Sequence, residues 1–252
     1  LWKYSGHEAG FSDPLVECKK CGTRMRQDKM KDQSKCDNCG SVEISEPRAY
    51  QLMMGLSIGA TADGAINAYL RPETATTTYT NFKNVLDAKP HKLPFGIAQI
   101  GKAFRNEISP RGFVFRMREF EQAELQYFVR PDQDEQYHKM WMETRLAWWV
   151  NELGIPAEKL RFMPHEKLAH YAKAAVDIEY EFPDGFDEVE GIHNRQDFDL
   201  GSHTKSQNEF EIHANVLENK DSTTKLSYSD PQTGENFIPY VIETAMGVNR
   251  AM

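Results

Sequence analysis

The sequence predicts an α+β fold, an antiparallel sheet flanked by helices, with a small zinc-ribbon-like insert near its start. Three observations carry this. Residues 94–129 alternate with period two through two long runs around a loop at 108–112, as a long hairpin does. A second alternating pair, 176–182 and 186–192, is joined by a Pro-Asp-Gly turn, and no βαβ alternation separates the two hairpins. Four cysteines, Cys18, Cys21, Cys36 and Cys39, stand in two C-x-x-C knuckles.

In chain order, the knuckles come first. Each is followed by a glycine, and the spacing is that of four thiolates around a tetrahedral zinc ion with no position left open for chemistry. Two disulfides are the alternative, and they fit a reducing compartment poorly. The segment also holds Lys19, Lys20, Arg24, Arg26, Lys29, Lys31 and Lys35, which reads either as a solvated face or as a contact for an RNA backbone. Residues 68–73 read as a short strand, excluded from a central ladder position by Pro72, with Thr74 capping a helix to about residue 87. In the long hairpin, parity puts Arg105 and Glu107 with Gln99, Gly101 and Ala103, and Arg116 and Arg118 with Phe120, Gln122 and Glu124. That face is a polar floor of fixed cations and carboxylates; the opposite face, with Leu125 and Tyr127, reads as mainly core.

Residues 132–153 predict a helix with an acidic first turn whose Tyr137, Met140, Trp141 and Trp148 pack on the sheet. A shorter helix over about 166–175, the second hairpin, and a polar stretch through 222 follow. Strands at 225–229 and 236–245 finish the sheet, with helices to one side of it, and Gly247 admits a closing helix bearing Arg250. The histidines in polar segments, His7, His193, His203 and His213, read as hydrogen-bonded structural groups. With 252 residues, 40% of them hydrophobic and 27% charged, the chain is long enough for a proper core. Its net charge of −8 argues against a generally basic nucleic-acid surface, and no apolar run approaches the roughly 20 residues needed to span a bilayer.

The runs LRPETA (70–75), FGIAQIGKAFRNE (95–107), FRMREFEQAE (115–124) and VIETAMGVNR (241–250) resemble the glycyl-tRNA synthetases of the dimeric, class II type, as do the opening SGHEAGFSDPLVECKKC and the segment EVEGIHNRQDFDLGSH. The resemblance implies a class II catalytic core over residues 1–252, with the zinc insert at 16–42, motif 2 at 104–120 and motif 3 at the end. On that reading motif 1 and the anticodon-binding domain lie outside the chain. It also implies a cytoplasmic homodimer that forms glycyl-adenylate from glycine and ATP with Mg2+ and charges tRNA(Gly), using structural Zn2+ and no membrane.

What the resemblance implies for single residues follows the chemistry. A glycine carboxylate is already ionised at neutral pH, so activation needs positioning and charge neutralisation rather than a general base. Arg105 suits the α-phosphate, Arg116 and Arg250 the β- and γ-phosphates, and Arg105 and Arg250 are the catalytic cations. Phe120 stacks on the adenine under Arg250, Glu107 reads the exocyclic amine, and Glu188 is a candidate for the magnesium. Glu73, Glu124 and Glu243 surround the glycine ammonium, and Arg195 pairs either with the substrate carboxylate or with Asp197 or Asp199.

Three positions depart from the family pattern. Ala245 stands where the glycine pocket usually has serine, Thr76-Thr77 where Gln-Gly is usual, and Asn249 where motif 3 usually has aspartate. A non-catalytic synthetase-like binding module, a synthetase for another small amino acid, and a zinc-dependent RNA-binding protein are the competing readings. The first tends to lose the arginines that are present here.

Overall fold

The computed structural model describes residues 1–110 and 112–252; Arg111, in the predicted hairpin loop, lies outside the described residues. A short helix α1 (His7–Gly10) leads into β1 (Ser12–Glu17), β2 (Arg24–Arg26) and β3 (Arg48–Gln51). These form an antiparallel three-stranded sheet in the order β2-β1-β3, which carries the four cysteines. A small hairpin of β4 (Gly55–Ile58) and β5 (Ile66–Tyr69) precedes α2 (Ala75–Ala88).

The remaining chain supplies β6 (Phe95–Phe104), β7 (Glu119–Val129), α3 (Asp134–Asn151), β8 (Leu160–Pro164), β9 (Ala174–Phe182), β10 (Gly185–Gln196) and α4 (Phe198–His203). It closes with β11 (Tyr228–Ser229), β12 (Asn236–Phe237), β13 (Tyr240–Gly247) and α5 (Val248–Ala251). Six of these strands make one antiparallel sheet in the order β6-β7-β13-β10-β9-β8.

Alternation along β13 explains how the sheet is covered. Tyr240 and Ile242 join Val129 in a cluster under Tyr137 and Trp141 of α3. Val241, between them, joins Phe128 in a core with Tyr79 and Phe82 of α2 and Leu200 of α4. Neighbouring residues point to opposite faces, so α3 packs on one face and α2 and α4 on the other. Helices therefore lie on both sides, not on one as expected. Fully burying side chains such as Phe82 and Phe128 contributes about 1.5–3 kcal/mol each.

Other elements also differ. No helix forms over 166–175: residues 160–164 form β8, and β9 begins at Ala174. The 225–229 segment pairs only through Tyr228 and Ser229 with β12, in a two-stranded sheet of its own. The hairpin face expected to be core is the more open one, with Ile100 74% exposed, whereas Glu124 and Gln126 on the polar floor are buried. Among the described residues no helix is long and apolar enough to cross a membrane.

Candidate active site

Register carries the floor across four strands. Gln99 lies opposite Glu124 and Ala103 opposite Phe120; across the other edge of β7, Glu124 faces Ala245 and Gln122 faces Gly247. On β10, Gly191 faces Ala245 and His193 faces Glu243. A Cβ at Gly191 would stand 2.6 Å from the His193 ring, so glycine is what lets that imidazole fold back over the strand. Above this floor lies a cavity of about 1040 Å3. Glu73, Arg105, Glu107, Arg116, Phe120, Glu124, Glu188, Glu243, Ala245 and Arg250 all line it, drawn from segments far apart in sequence. Arg195 does not.

One end is acidic. Glu73, Glu124 and Glu243 are each buried. Glu73 sits 3.3 Å from His7 Nε2 and accepts from the Thr76 hydroxyl at 2.8 Å. Glu124 accepts from the backbone amide of Thr74 at 3.0 Å and from its hydroxyl. Thr74 occupies the N-cap position of α2 but makes no side-chain cap bond, because that hydroxyl is given to Glu124. Glu243 accepts from Arg195 at 3.1 and 3.2 Å, from Gln126 at 2.8 Å, and pairs with His193 at 3.0 Å.

Arg195 is 1% exposed, and its remaining donors go to Asp199 at 2.7 and 2.8 Å. Tyr171 covers it, with the guanidinium 3.8 Å from the ring centroid. Of the partners expected for Arg195, the structure supplies Asp199, together with Glu243; it sits beneath the site as a brace and does not reach into it.

The three carboxylates titrate differently. Burial pushes Glu124 up, and repulsion from Glu243 and Glu73 adds to it, to about 8. Burial also pushes on Glu73, but His7, and Arg195 behind it, more than offset this and hold Glu73 well below the ordinary range. For Glu243 the same burial is outweighed by Arg195 and His193, and its value is lowered. The pocket thus holds one carboxyl that keeps its proton beside two that are ionised.

The other end is cationic. Arg105 is fixed by its Nε to the Pro72 carbonyl at 3.1 Å and lies between the rings of Phe11 and Phe120, 5.3 Å from each centroid. Arg116 Nε is 3.7 Å from Glu107, and Arg118 donates to the Glu107 carbonyl at 3.2 Å. Arg250 donates to the carbonyls of Glu188 at 2.5 Å and Phe115 at 2.9 Å. Among the described residues, two buried acceptors on this cavity have no hydrogen-bond partner, Glu107 Oε2 and Gln122 Oε1. A buried acceptor left unpaired costs about 1–3 kcal/mol. Asn249 accepts the Glu121 amide through its side-chain oxygen at 2.8 Å, a task aspartate performs equally.

The cysteine unit lies beside the cationic end. The four sulfurs all fall within 4.8 Å of one another, with Cys18 and Cys39 3.6 Å apart and Cys21 and Cys36 3.7 Å apart. A tetrahedral ion with bonds of about 2.3 Å to sulfur places its ligands about 3.8 Å apart. Gly22 and Gly40, each at φ +70°, return their amides to the carbonyls of Cys18 and Cys36 at 2.8 Å, which closes the two knuckles. The cluster fits a metal. All four cysteines are free of disulfides.

The fold is that of the class II aminoacyl-tRNA synthetases: it superposes on Giardia lamblia prolyl-tRNA synthetase in complex with prolyl-adenylate with a TM-score of 0.58 at 16% identity, over 79% of this chain and 36% of that one. The chain belongs to the family described as tRNA synthetase class II core domain (G, H, P, S and T), which it matches over residues 61–252. It is 47% identical to a glycine–tRNA ligase of Thermus thermophilus and 44% identical to one of Deinococcus radiodurans, each over 99% of this chain and 58% of that protein. With a Borreliella burgdorferi glycine–tRNA ligase it shares 46% identity over 100% of this chain and 54% of that protein. The chain spans a little over half the length of these relatives.

Sequence reasoning left Tyr171 and His193 out of the cavity lining, and it gave His7 no carboxylate to hold. Tyr171 fell inside a helix that does not form. The two histidines carried a usable signal, a polar segment beside a quoted motif, but nothing in the chain said which carboxylate each would meet.

Proposed function

We propose that the full-length protein activates glycine with ATP to glycyl-adenylate and transfers it to tRNA(Gly). The observation that carries this is one cavity with three buried carboxylates at one end and Arg105, Arg116 and Arg250 at the other. The glycine–tRNA ligases similar to this chain support the choice of amino acid.

The chemistry follows from the residues. The substrate ammonium lies among Glu73, Glu124 and Glu243, where charge-assisted hydrogen bonds hold it. Ala245 keeps the floor small beneath it. A side-chain methyl forced into so close a site costs about 1–3 kcal/mol by overpacking. The substrate carboxylate is the nucleophile. One of its oxygens attacks the α-phosphorus, the bond to the bridging oxygen breaks, and pyrophosphate leaves with the electron pair. Arg105, held by the Pro72 carbonyl and two rings, neutralises charge at the α-phosphate without reorganising. Arg116 and Arg250 take the outer phosphates. Phe120 supplies the face for adenine, and Glu107 Oε2, an acceptor without a hydrogen-bond donor among the described residues, suits its exocyclic amine.

Glu188 is a half-exposed carboxylate on the nucleotide side of the cavity, a hard oxygen ligand of the kind Mg2+ takes together with phosphates. Held there, Mg2+ would supply positive charge to offset that of the phosphates. The four cysteines hold structural Zn2+. The basic residues around them would contact the RNA backbone. The enzyme is a cytoplasmic homodimer, for which a light-scattering mass of twice the subunit is the check.

The test of substrate class is ATP–pyrophosphate exchange by the full-length protein with glycine, alanine, serine and threonine in turn. Exchange with glycine alone is expected. Exchange driven better by another amino acid, or by none, contradicts the proposal.

A further inference from the structure

A second cavity, of about 260 Å3, opens where the cysteine unit rests on the loop between β6 and β7. Thr23, Arg24 and Asn38 form one wall, and Ile108 and Ser109 the other. The Ser109 hydroxyl donates to the Arg24 carbonyl at 3.1 Å and ties the two together. The residues that line both this cavity and the main one are Arg26, Lys29 and Arg116. All three are cations. Arg26 is held by Asp13 at 2.8 Å and Asp28 at 2.7 Å, while Arg116 has only Glu107, at 3.7 Å, among the described residues. Lys29 forms no ion pair among the described residues and is exposed. Asp37, the carboxylate lining the small cavity, accepts the backbone amide of Lys31 at 3.3 Å. Arg26 is thus neutralised, whereas Lys29, unpaired among the described residues, and Arg116, only loosely paired, leave two cations at the seam that an anion between them would satisfy.

We infer that this seam binds the pyrophosphate leaving group: Lys29 and Arg26, carried on the cysteine unit, join Arg116 at the β- and γ-phosphates, and the smaller cavity receives pyrophosphate as it departs. The inference rests on the nucleotide reading of the main cavity. It assigns the cysteine unit a part in the chemistry, because Lys29 lies between Cys21 and Cys36 in a single 3-10 turn, Gln27–Lys29, whose place is set by the folded unit. As the α-phosphorus–oxygen bond breaks, negative charge accumulates on the bridging oxygen and spreads into pyrophosphate. Fixed cations there stabilise the separated products more than bound ATP. No proton or further reactant is needed.

The test is calorimetric titration of the full-length, metal-loaded protein with magnesium pyrophosphate, ATP and AMP. Lys29→Ala and Lys29→Gln are each expected to weaken pyrophosphate and ATP about 5- to 20-fold, the range for a charged contact partly open to water. AMP, which lacks the outer phosphates, should bind as before. Lys29→Arg should retain most of the affinity, and Lys31→Ala, in the same unit but outside both cavities, all of it. Cysteine-bound metal measured in each variant reports whether the unit is folded. Unchanged pyrophosphate affinity in a metal-replete Lys29→Gln protein overturns the inference. So does an equal loss in Lys31→Ala, which would reduce the effect to net charge, or a loss confined to RNA binding. If the unaltered protein binds neither ATP nor pyrophosphate, the nucleotide reading falls and the inference with it.

Discussion

Replacing Glu124 with glutamine should make the protein more stable in alkali and unable to bind glycine. The carboxyl is buried among two other carboxylates, and in the folded chain its value is pushed to about 8, against an ordinary 4.5. Unfolding exposes it to water, where it ionises near that ordinary value. Between these limits the folded state holds a proton that the unfolded state has lost, so stability falls as pH rises, and the loss is complete above about 8. At about 1.4 kcal/mol per pH unit, the two units from pH 6 to pH 8 amount to a loss of about 3 kcal/mol from this group. Glutamine keeps the shape and can still accept from Thr74, but carries no proton to lose. Urea unfolding without ligand, at pH 6 and pH 8.5, measures the difference directly. The glutamine variant should gain about 2–3 kcal/mol over the parent between the two pH values, and glycine should no longer drive exchange. A parallel pH dependence in both proteins would refute the assignment of the protonated carboxyl to Glu124.

The same site makes three further predictions. Thr76→Val removes the hydroxyl that Glu73 accepts, and the KM for glycine should rise about 5- to 10-fold with kcat little changed, as for one lost hydrogen bond of about 1 kcal/mol or more. His7→Ala removes the partner that holds Glu73 ionised; the glycine KM should rise most at low pH and recover as pH increases, seen in exchange kinetics from pH 6 to 8.5. Cys39→Ser should release the bound metal and strip amide-exchange protection from β1 and β2, leaving β7, β10 and β13 protected, because the cluster around Val16, Cys18 and Met25 is separate from the sheet core.

How much of this was legible in the chain depends on the range of the signal. The floor of the hairpin could be read because parity is local: Gln99 and Glu124, or Ala103 and Phe120, face one another once the two strands pair. The knuckle glycines were legible for the same reason, as each closes a turn five residues long. Which face of the hairpin is buried was not legible, because Glu124 and Gln126 are hidden by α2, through Thr74 and Tyr79, and not by their own polarity. Thr74 read as a cap because residue type shows that a hydroxyl is available, not which acceptor outcompetes the helix for it. Residues 166–175 carry helix-compatible side chains, yet the segment is fixed by tertiary contacts. The Tyr171 ring lies on Arg195, and Lys173 bridges to Asp134 at 2.9 Å. Arg195 itself shows the limit of residue chemistry: its charge suited the substrate carboxylate, Asp197 or Asp199 alike, and only the turn from β10 into α4 selects Asp199.

The central claim is that the cationic and acidic ends of one cavity join a glycine to a nucleotide. The most direct measurement is a single-turnover reaction in which full-length protein in excess is mixed with ATP and glycine without tRNA, and bound nucleotide and released pyrophosphate are followed together. The predicted result is glycyl-adenylate on the protein with an equal amount of pyrophosphate, and none of either with Arg105→Ala. ATP that binds but yields no pyrophosphate when glycine is present, with the protein folded and its metal in place, would contradict the account.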